Sequence, residues 1–153
     1  MPTEPQAVWF LNNRVTFALP AAGHVDRLSV TEHLMPYGES PPTHLHETED
    51  EIFHVLEGRV RFRVGEAETC AGPGESLVGP KGVPHSFRVE SPEGARMLVM
   101  TVGGDFEAFV RDFGRTPDHE GLPTETAPTA QMIENLAAAA ARRRIAILGP
   151  PMA

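Results

Sequence analysis

Gly38-Glu39-Ser40-Pro41-Pro42-Thr43-His44-Leu45-His46-Glu47-Thr48-Glu49-Asp50-Glu51-Ile52-Phe53-His54-Val55-Leu56-Glu57-Gly58 begins with turn formers and ends in an apolar run closed by a glycine. Side chains alternate on an extended chain, so His44 and His46, two apart, project their imidazoles to the same side. Glu51 lies five residues further on and opens the next strand. Ile52 to Leu56 is apolar on both parities apart from His54, the pattern of a strand covered on both faces. His54 has the parity opposite to Glu51 and points away from it. Ile52 and Leu56 share that side, which suggests a face covered by the tail or by a partner subunit.

The flanking segments carry the same alternation. Glu57-Gly58 reads as a hairpin turn. Beyond it, Val60, Phe62 and Val64 alternate with Arg59, Arg61 and Arg63, an apolar inner face and a solvated cationic outer one. Ala71-Gly72-Pro73-Gly74 turns the chain into Ser76-Leu77-Val78. Pro80 to Pro84 is a further loop, and His85–Val89 and Met97–Val102 complete the run. Upstream, Leu28, Val30, Glu32 and Leu34 alternate with Ser29, Thr31, His33 and Met35 until Pro36-Tyr37-Gly38 stops the strand. Val8 to Leu19, interrupted by Asn12-Asn13-Arg14, reads as a short strand pair or an arm. Short strands with closely spaced turn signals predict an all-β sandwich or barrel.

The tail differs. Phe106, Phe109, Val110 and Phe113 fall at helical spacing, with Gly114 placed to end the helix. A Pro-rich stretch from Thr116 to Pro128 precedes a second helix over Ala130–Arg144, with Thr129 as its N-cap and Arg142 to Arg144 at its negative end. The apolar segment Ile145 to Pro151 is expected against the barrel or a partner. Residues 1–114 are thus read as a β-barrel with an N-terminal arm, and 115–153 as a linker and a C-terminal helix packing on it.

Composition narrows the classes. The 153 residues include 14 Gly and 15 Pro, more than average usage. That excess fits a turn-dense domain, and 41% apolar residues supply a core. A net charge of −8 argues against nucleic-acid binding, which needs a basic surface. No apolar run approaches a membrane span, and the first residues lack a signal-peptide pattern, so a cytoplasmic protein is expected. Cys70 is the single cysteine, which excludes an internal disulfide and a multi-cysteine metal site.

Imidazole nitrogen with a carboxylate oxygen is a donor set for Fe, Mn, Ni, Cu, Co or Zn. A third imidazole is available from His85, behind the turn residues Gly74, Pro80 and Gly82. Here the chain resembles the cupin superfamily, and most of all its small single-domain members described as quercetin dioxygenase-like. The first cupin motif, G-x5-H-x-H-x4-E-x6-G, is matched at Gly38, His44, His46, Glu51 and Gly58. The second, G-x5-P-x-G-x2-H-x3-N, is matched at Gly74, Pro80, Gly82 and His85, with Val89 in place of its final Asn. The resemblance implies a double-stranded β-helix, the jelly-roll cupin barrel, with short C-terminal helices. It also implies one divalent metal ion held by His44, His46, Glu51 and His85.

Around this set the readings diverge. His33, Met35 and Tyr37 share a parity and are candidates to line a pocket. Glu47, Glu49 and Asp50 read as a solvated acidic loop, and Cys70 has no histidine beside it in sequence to make it a nucleophile. A metal-dependent dioxygenase acting on a small enol, diketone or flavonol-like substrate is the leading expectation, with Glu51 as a ligand able to take a proton. Lewis-acid chemistry (isomerase, epimerase or lyase) and a non-catalytic binding module are the alternatives. A homodimer is expected, with Ile52, His54 and Leu56 beneath the covering element.

Overall fold

The structure is a computed structural model that describes residues 6–23 and 26–153. The described chain runs through β1 (Ala7–Phe10), β2 (Asn13–Leu19), β3 (Leu28–Met35), β4 (Thr43–His46), β5 (Glu51–Glu57), β6 (Val60–Val64), β7 (Ala67–Ala71), β8 (Ser76–Gly79), β9 (His85–Val89), β10 (Ala95–Val102), α1 (Asp105–Phe113), α2 (Ala130–Ala141) and β11 (Ile145–Gly149). Two antiparallel sheets face each other in jelly-roll fashion. One has the order β1-β2-β3-β10-β5-β8 and the other β11-β4-β9-β6-β7. Phe17, Phe53, Val55, Phe62, Val89 and Met97 are buried between them. The expected all-β barrel with short C-terminal helices is the architecture observed.

Val8 to Leu19 takes the strand-pair form: β1 and β2 pair as a hairpin, with Leu11 in the turn at a φ of 56°. Glu57-Gly58 departs from expectation. β5 pairs with β10 and β8, whereas β6 pairs with β7 and β9, so the turn is a corner between sheets and no hairpin. Gly58 has a φ of +86°, and a Cβ there would lie 2.4 Å from the Gly94 carbonyl oxygen and 2.7 Å from Ser91 Oγ. The close approach of the 91–95 turn makes the corner sharp, and only glycine fits it.

The tail is more integrated than a linker and packed helix. β11 pairs with β4 and so adds an edge strand to the barrel. Thr129 caps α2 as expected, its hydroxyl accepting from the Met132 N–H, but the helix ends at Ala141 and the three arginines lead into β11. Gly114 ends α1 in an extended conformation, where Val110 oxygen and Val8 leave no room for a Cβ.

In β3 the polar parity faces inward. Ser29, Thr31 and His33 are buried with Met35, while Leu28, Val30 and Leu34 face outward. The outer face of the six-stranded sheet therefore carries apolar side chains, Ile52 among them at 39% exposure. Among the described residues no tail element covers it.

The two kinds of glycine can be separated by mutation. Gly58→Ala should cost more than about 2 kcal/mol in urea unfolding, because left-handed backbone strain adds to overlap with backbone atoms. Gly74→Ala, at a φ of +85° with nothing within 4 Å, should cost only the backbone part, about 1–2 kcal/mol.

Candidate metal centre and its cavity

Both sheets contribute to one cluster. His44 and His46 stand two apart on β4, Glu51 is the first residue of β5, and His85 is the first residue of β9, directly across from His44. One potential ligand atom from each residue lies within 4.8 Å of the others. Glu51 Oε2 is 2.7 Å from His46 Nε2, 2.9 Å from His85 Nε2 and 4.0 Å from His44 Nε2. Gly79 allows this closeness: a Cβ there would meet the His85 ring at 3.1 Å.

The backbone orients two of the rings. His44 Nδ1 lies 2.7 Å from the Pro42 carbonyl oxygen and His85 Nδ1 lies 3.0 Å from that of Val83. A carbonyl only accepts, so each Nδ1 carries the hydrogen. His44 Nε2 then keeps its lone pair in the neutral ring, whereas His85 Nε2 donates to the Glu51 carboxylate and offers a lone pair only on losing that proton. His46 is buried with neither ring nitrogen in a hydrogen bond, since its short contact to Glu51 is misdirected for one. An unpartnered imidazole nitrogen, two oriented ones and a carboxylate fit a borderline divalent cation.

The electrostatics are mutually supporting. Burial pushes Glu51 upward, but His46 and His85 outweigh it and hold the carboxyl well below its usual range. Burial lowers His44 to about 4, with His85 adding to the effect against the opposing pull of Glu51. Burial also disfavours charge on His85, yet the hydrogen bond and charge of Glu51 prevail and raise it. Glu51 is therefore ionised and His44 neutral at neutral pH.

The cluster opens on a narrow cavity of about 50 Å³. Part of the wall is barrel: Asn13, His33, Phe87 and Val99. The roof is tail: Phe106 and Phe109 from α1, Leu136 from α2, Ile145 and Ile147 from β11. His33 Nε2 is 2.9 Å from Thr31 Oγ1, and its ring stacks near Phe106. Burial lowers His33 to about 4 despite the charge of Glu51, leaving a neutral ring.

Of the three residues grouped by parity, His33 alone lies on the cavity wall. Met35 is buried in the core, and Tyr37 is 53% exposed beneath the Arg88 guanidinium. The strand ends at Met35, and Pro36 with Gly38 (φ +81°) rotates the chain out of alternation. His54 points outward to Ser76 Oγ at 2.6 Å. Arg61 and Arg63 pair with surface glutamates, and Cys70 is exposed.

Glu49 contradicts the solvated-loop reading, being 2% exposed. Its Oε1 accepts from the Phe106 N–H at 3.0 Å, at the positive end of α1, and Thr48 Oγ1 donates to Asp105 Oδ2 at 2.6 Å. The loop between the ligand strands thus anchors the helix that roofs the cavity. Nothing in the acidic run distinguishes Glu49 from its neighbours, because its partner is 57 residues away. Asn13 is likewise hidden in the sequence, its pair with Asn12 reading only as an interruption of apolar residues.

A jelly roll with an imidazole–carboxylate cluster at the mouth of its cavity defines a cupin-type barrel. Residues 31–101 match the cupin domain family. A 90-residue stretch is 32% identical to quercetin 2,3-dioxygenase of Bacillus subtilis, covering 59% of this chain and 26% of that enzyme. The chain thus aligns with about a quarter of the length of that curated relative. The TT1209 protein of Thermus thermophilus is 28% identical with a TM-score of 0.52, covering 68% of this chain and 88% of its own. A predicted oxalate decarboxylase of Thermotoga maritima shares the fold at 18% identity, with a TM-score of 0.58 and coverage of 65% and 91%. Among the described residues no helix is long and apolar enough to cross a membrane.

The Glu49 anchor is directly testable. Glu49→Ala should lower stability by about 1–3 kcal/mol in urea unfolding, because it frees the buried Phe106 N–H and removes charge from the helix start.

Proposed function

We propose that this protein is a metal-dependent, dioxygenase-like enzyme acting on a small neutral enol or diketone. The observation that carries the reading is the His44–His46–Glu51–His85 cluster facing a cavity lined mainly by apolar side chains. In this reading those four residues hold one divalent ion, which when bound supplies positive charge for an enolate oxygen and, if redox-active, a route for dioxygen chemistry. Glu51, buried and ionised, sits where it can accept the proton that leaves the substrate carbon. His33 presents a neutral ring to the same space, and the roof of phenylalanine and isoleucine excludes water. The stretch similar to the Bacillus quercetin dioxygenase supports oxidative chemistry over Lewis-acid chemistry.

Size favours the compact end of the substrate range. A cavity of about 50 Å³ is roughly a third of the ~150 Å³ that accommodates benzene in a protein core. Even a ligand of six or seven heavy atoms therefore needs the roof to give, and a flavonol needs a far larger displacement.

Metal content decides the first half of the reading. His44→Ala and His85→Ala should weaken binding of Fe(II), Ni(II) or Zn(II) at least about tenfold in chelator competition, and full retention by both would refute the ligand set. Oxygen uptake with 2,4-pentanedione decides the second half. Turnover should require both metal and dioxygen, and Glu51→Gln should lower it at least about 100-fold. Turnover without oxygen would instead assign Lewis-acid chemistry, and binding without turnover a carrier module.

We further propose that a second copy covers the outer face of the six-stranded sheet. Val30, Met100, Ile52 and Val78 stand side by side in one row across four strands. Six strands about 4.8 Å apart and up to eight residues long offer at most roughly 750 Å², close to the ~800 Å² per partner of a standard interface. Light scattering at micromolar concentration should give a dimer, and Ile52→Asp a monomer with its metal content intact. A monomeric parent protein refutes the assignment.

A further inference from the structure

Besides His46 of the cluster, Asn13 is a cavity residue whose buried side-chain oxygen has no partner. It opens β2, shares the inward parity of Val15 and Phe17, and is only 4% exposed. Its side chain lies on the cavity wall, and its Oδ1 has no hydrogen-bond partner. His33, on the same wall, already engages Thr31. A buried carbonyl oxygen without a partner is penalised, and a leucine of the same branching removes that penalty.

The hairpin around Asn13 is held by other groups. Asn12 donates its N–H to Glu39 Oε2 and accepts from the Thr126 N–H, both at 3.2 Å. Trp9 and Arg115 exchange two backbone hydrogen bonds of 2.9 Å beside it. The turn has its fastening without the Asn13 side chain.

We propose that Asn13 recognises the substrate, taking a hydroxyl or carbonyl group of a neutral ligand whose remaining frame meets the apolar wall. An amide both donates and accepts, so it suits either group. None of the described cavity-lining residues is Lys or Arg, so a phosphate or carboxylate at this end would be buried without a counter-charge, and such ligands are disfavoured. The class that fits is a small hydroxyketone or diketone. The other oxygen of that ligand is assigned to the metal cluster, and this part rests on the function proposed above.

The test uses the full chain, metal-free and Zn(II)-loaded, with two probes of six heavy atoms each, 4-hydroxy-2-butanone and 2-pentanone. Ligand-observed NMR gives their dissociation constants. The parent protein should bind the hydroxylated probe about tenfold more tightly, and Asn13→Leu should erase that ratio. The same substitution should raise the melting temperature by roughly 2–8 °C, because it removes an unpartnered buried carbonyl oxygen; a structural role would lower it. Asn13→Ala serves as a second variant for the probe ratio. An unchanged ratio in both variants, no hydroxyl preference in the parent, or loss of fold in both variants would overturn the proposal. Zn(II) separates the two readings. If only the metal assignment is wrong, Zn(II) alters neither affinity while the ratio still depends on Asn13. If only the Asn13 assignment is wrong, Zn(II) tightens both probes and the ratio is the same in all proteins.

Discussion

A carboxylate taken out of water needs charge or hydrogen bonds around it, and Glu51 is buried at the junction of the two sheets. It meets that need through the hydrogen bond with His85 Nε2 at 2.9 Å, with His46 Nε2 beside it at 2.7 Å. This demand ties β5 of one sheet to β4 and β9 of the other. It also requires the tight approach of Gly79 to the His85 ring and the backbone carbonyls that set the His44 and His85 rings. Removing the carboxylate would leave imidazoles facing one another without compensation; removing the imidazoles would leave a buried charge. The two halves of the cluster therefore depend on each other across the junction of the sheets.

The tail completes what the barrel leaves open. β11 pairs along β4, the strand that carries two of the imidazoles, and brings Ile145 and Ile147 to the cavity. α1 is held over the same space by Glu49, which comes from the loop between the ligand strands. The roof is therefore fastened to the site at two points. It is also built from residues beyond the stretch that matches the cupin domain family. The cavity's shape is thus set in part by residues outside the stretch that carries the similarity.

The spacing of the clustered side chains was legible because its causes are local. Alternation along an extended strand puts His44 and His46 on one side, and Gly38, Gly74, Pro80 and Gly82 mark the turns that deliver Glu51 and His85. Local rules failed where the chain crosses between sheets. Glu57-Gly58 has the composition of a hairpin, but the next strand joins the opposite sheet and the same residues make a corner. In β3 alternation names two faces without saying which is buried, and the polar one faces inward. Parity carried Tyr37 into the pocket on paper, and one proline and one left-handed glycine moved it to the surface.

By itself the sequence determined most of the strands, most of the turns and the four clustered side chains, since periodicity and turn chemistry act over a few residues. Tertiary structure decided which faces are covered, that Glu49 is buried against a helix, that the tail roofs the cavity and that Asn13 lies uncommitted on its wall. Each of these depends on partners far apart in the chain. Trp9 pairs with Arg115, and the Met152 N–H bonds to Ser40 Oγ across 112 residues. Such contacts arise only when both sheets have closed, so no window of sequence contains them.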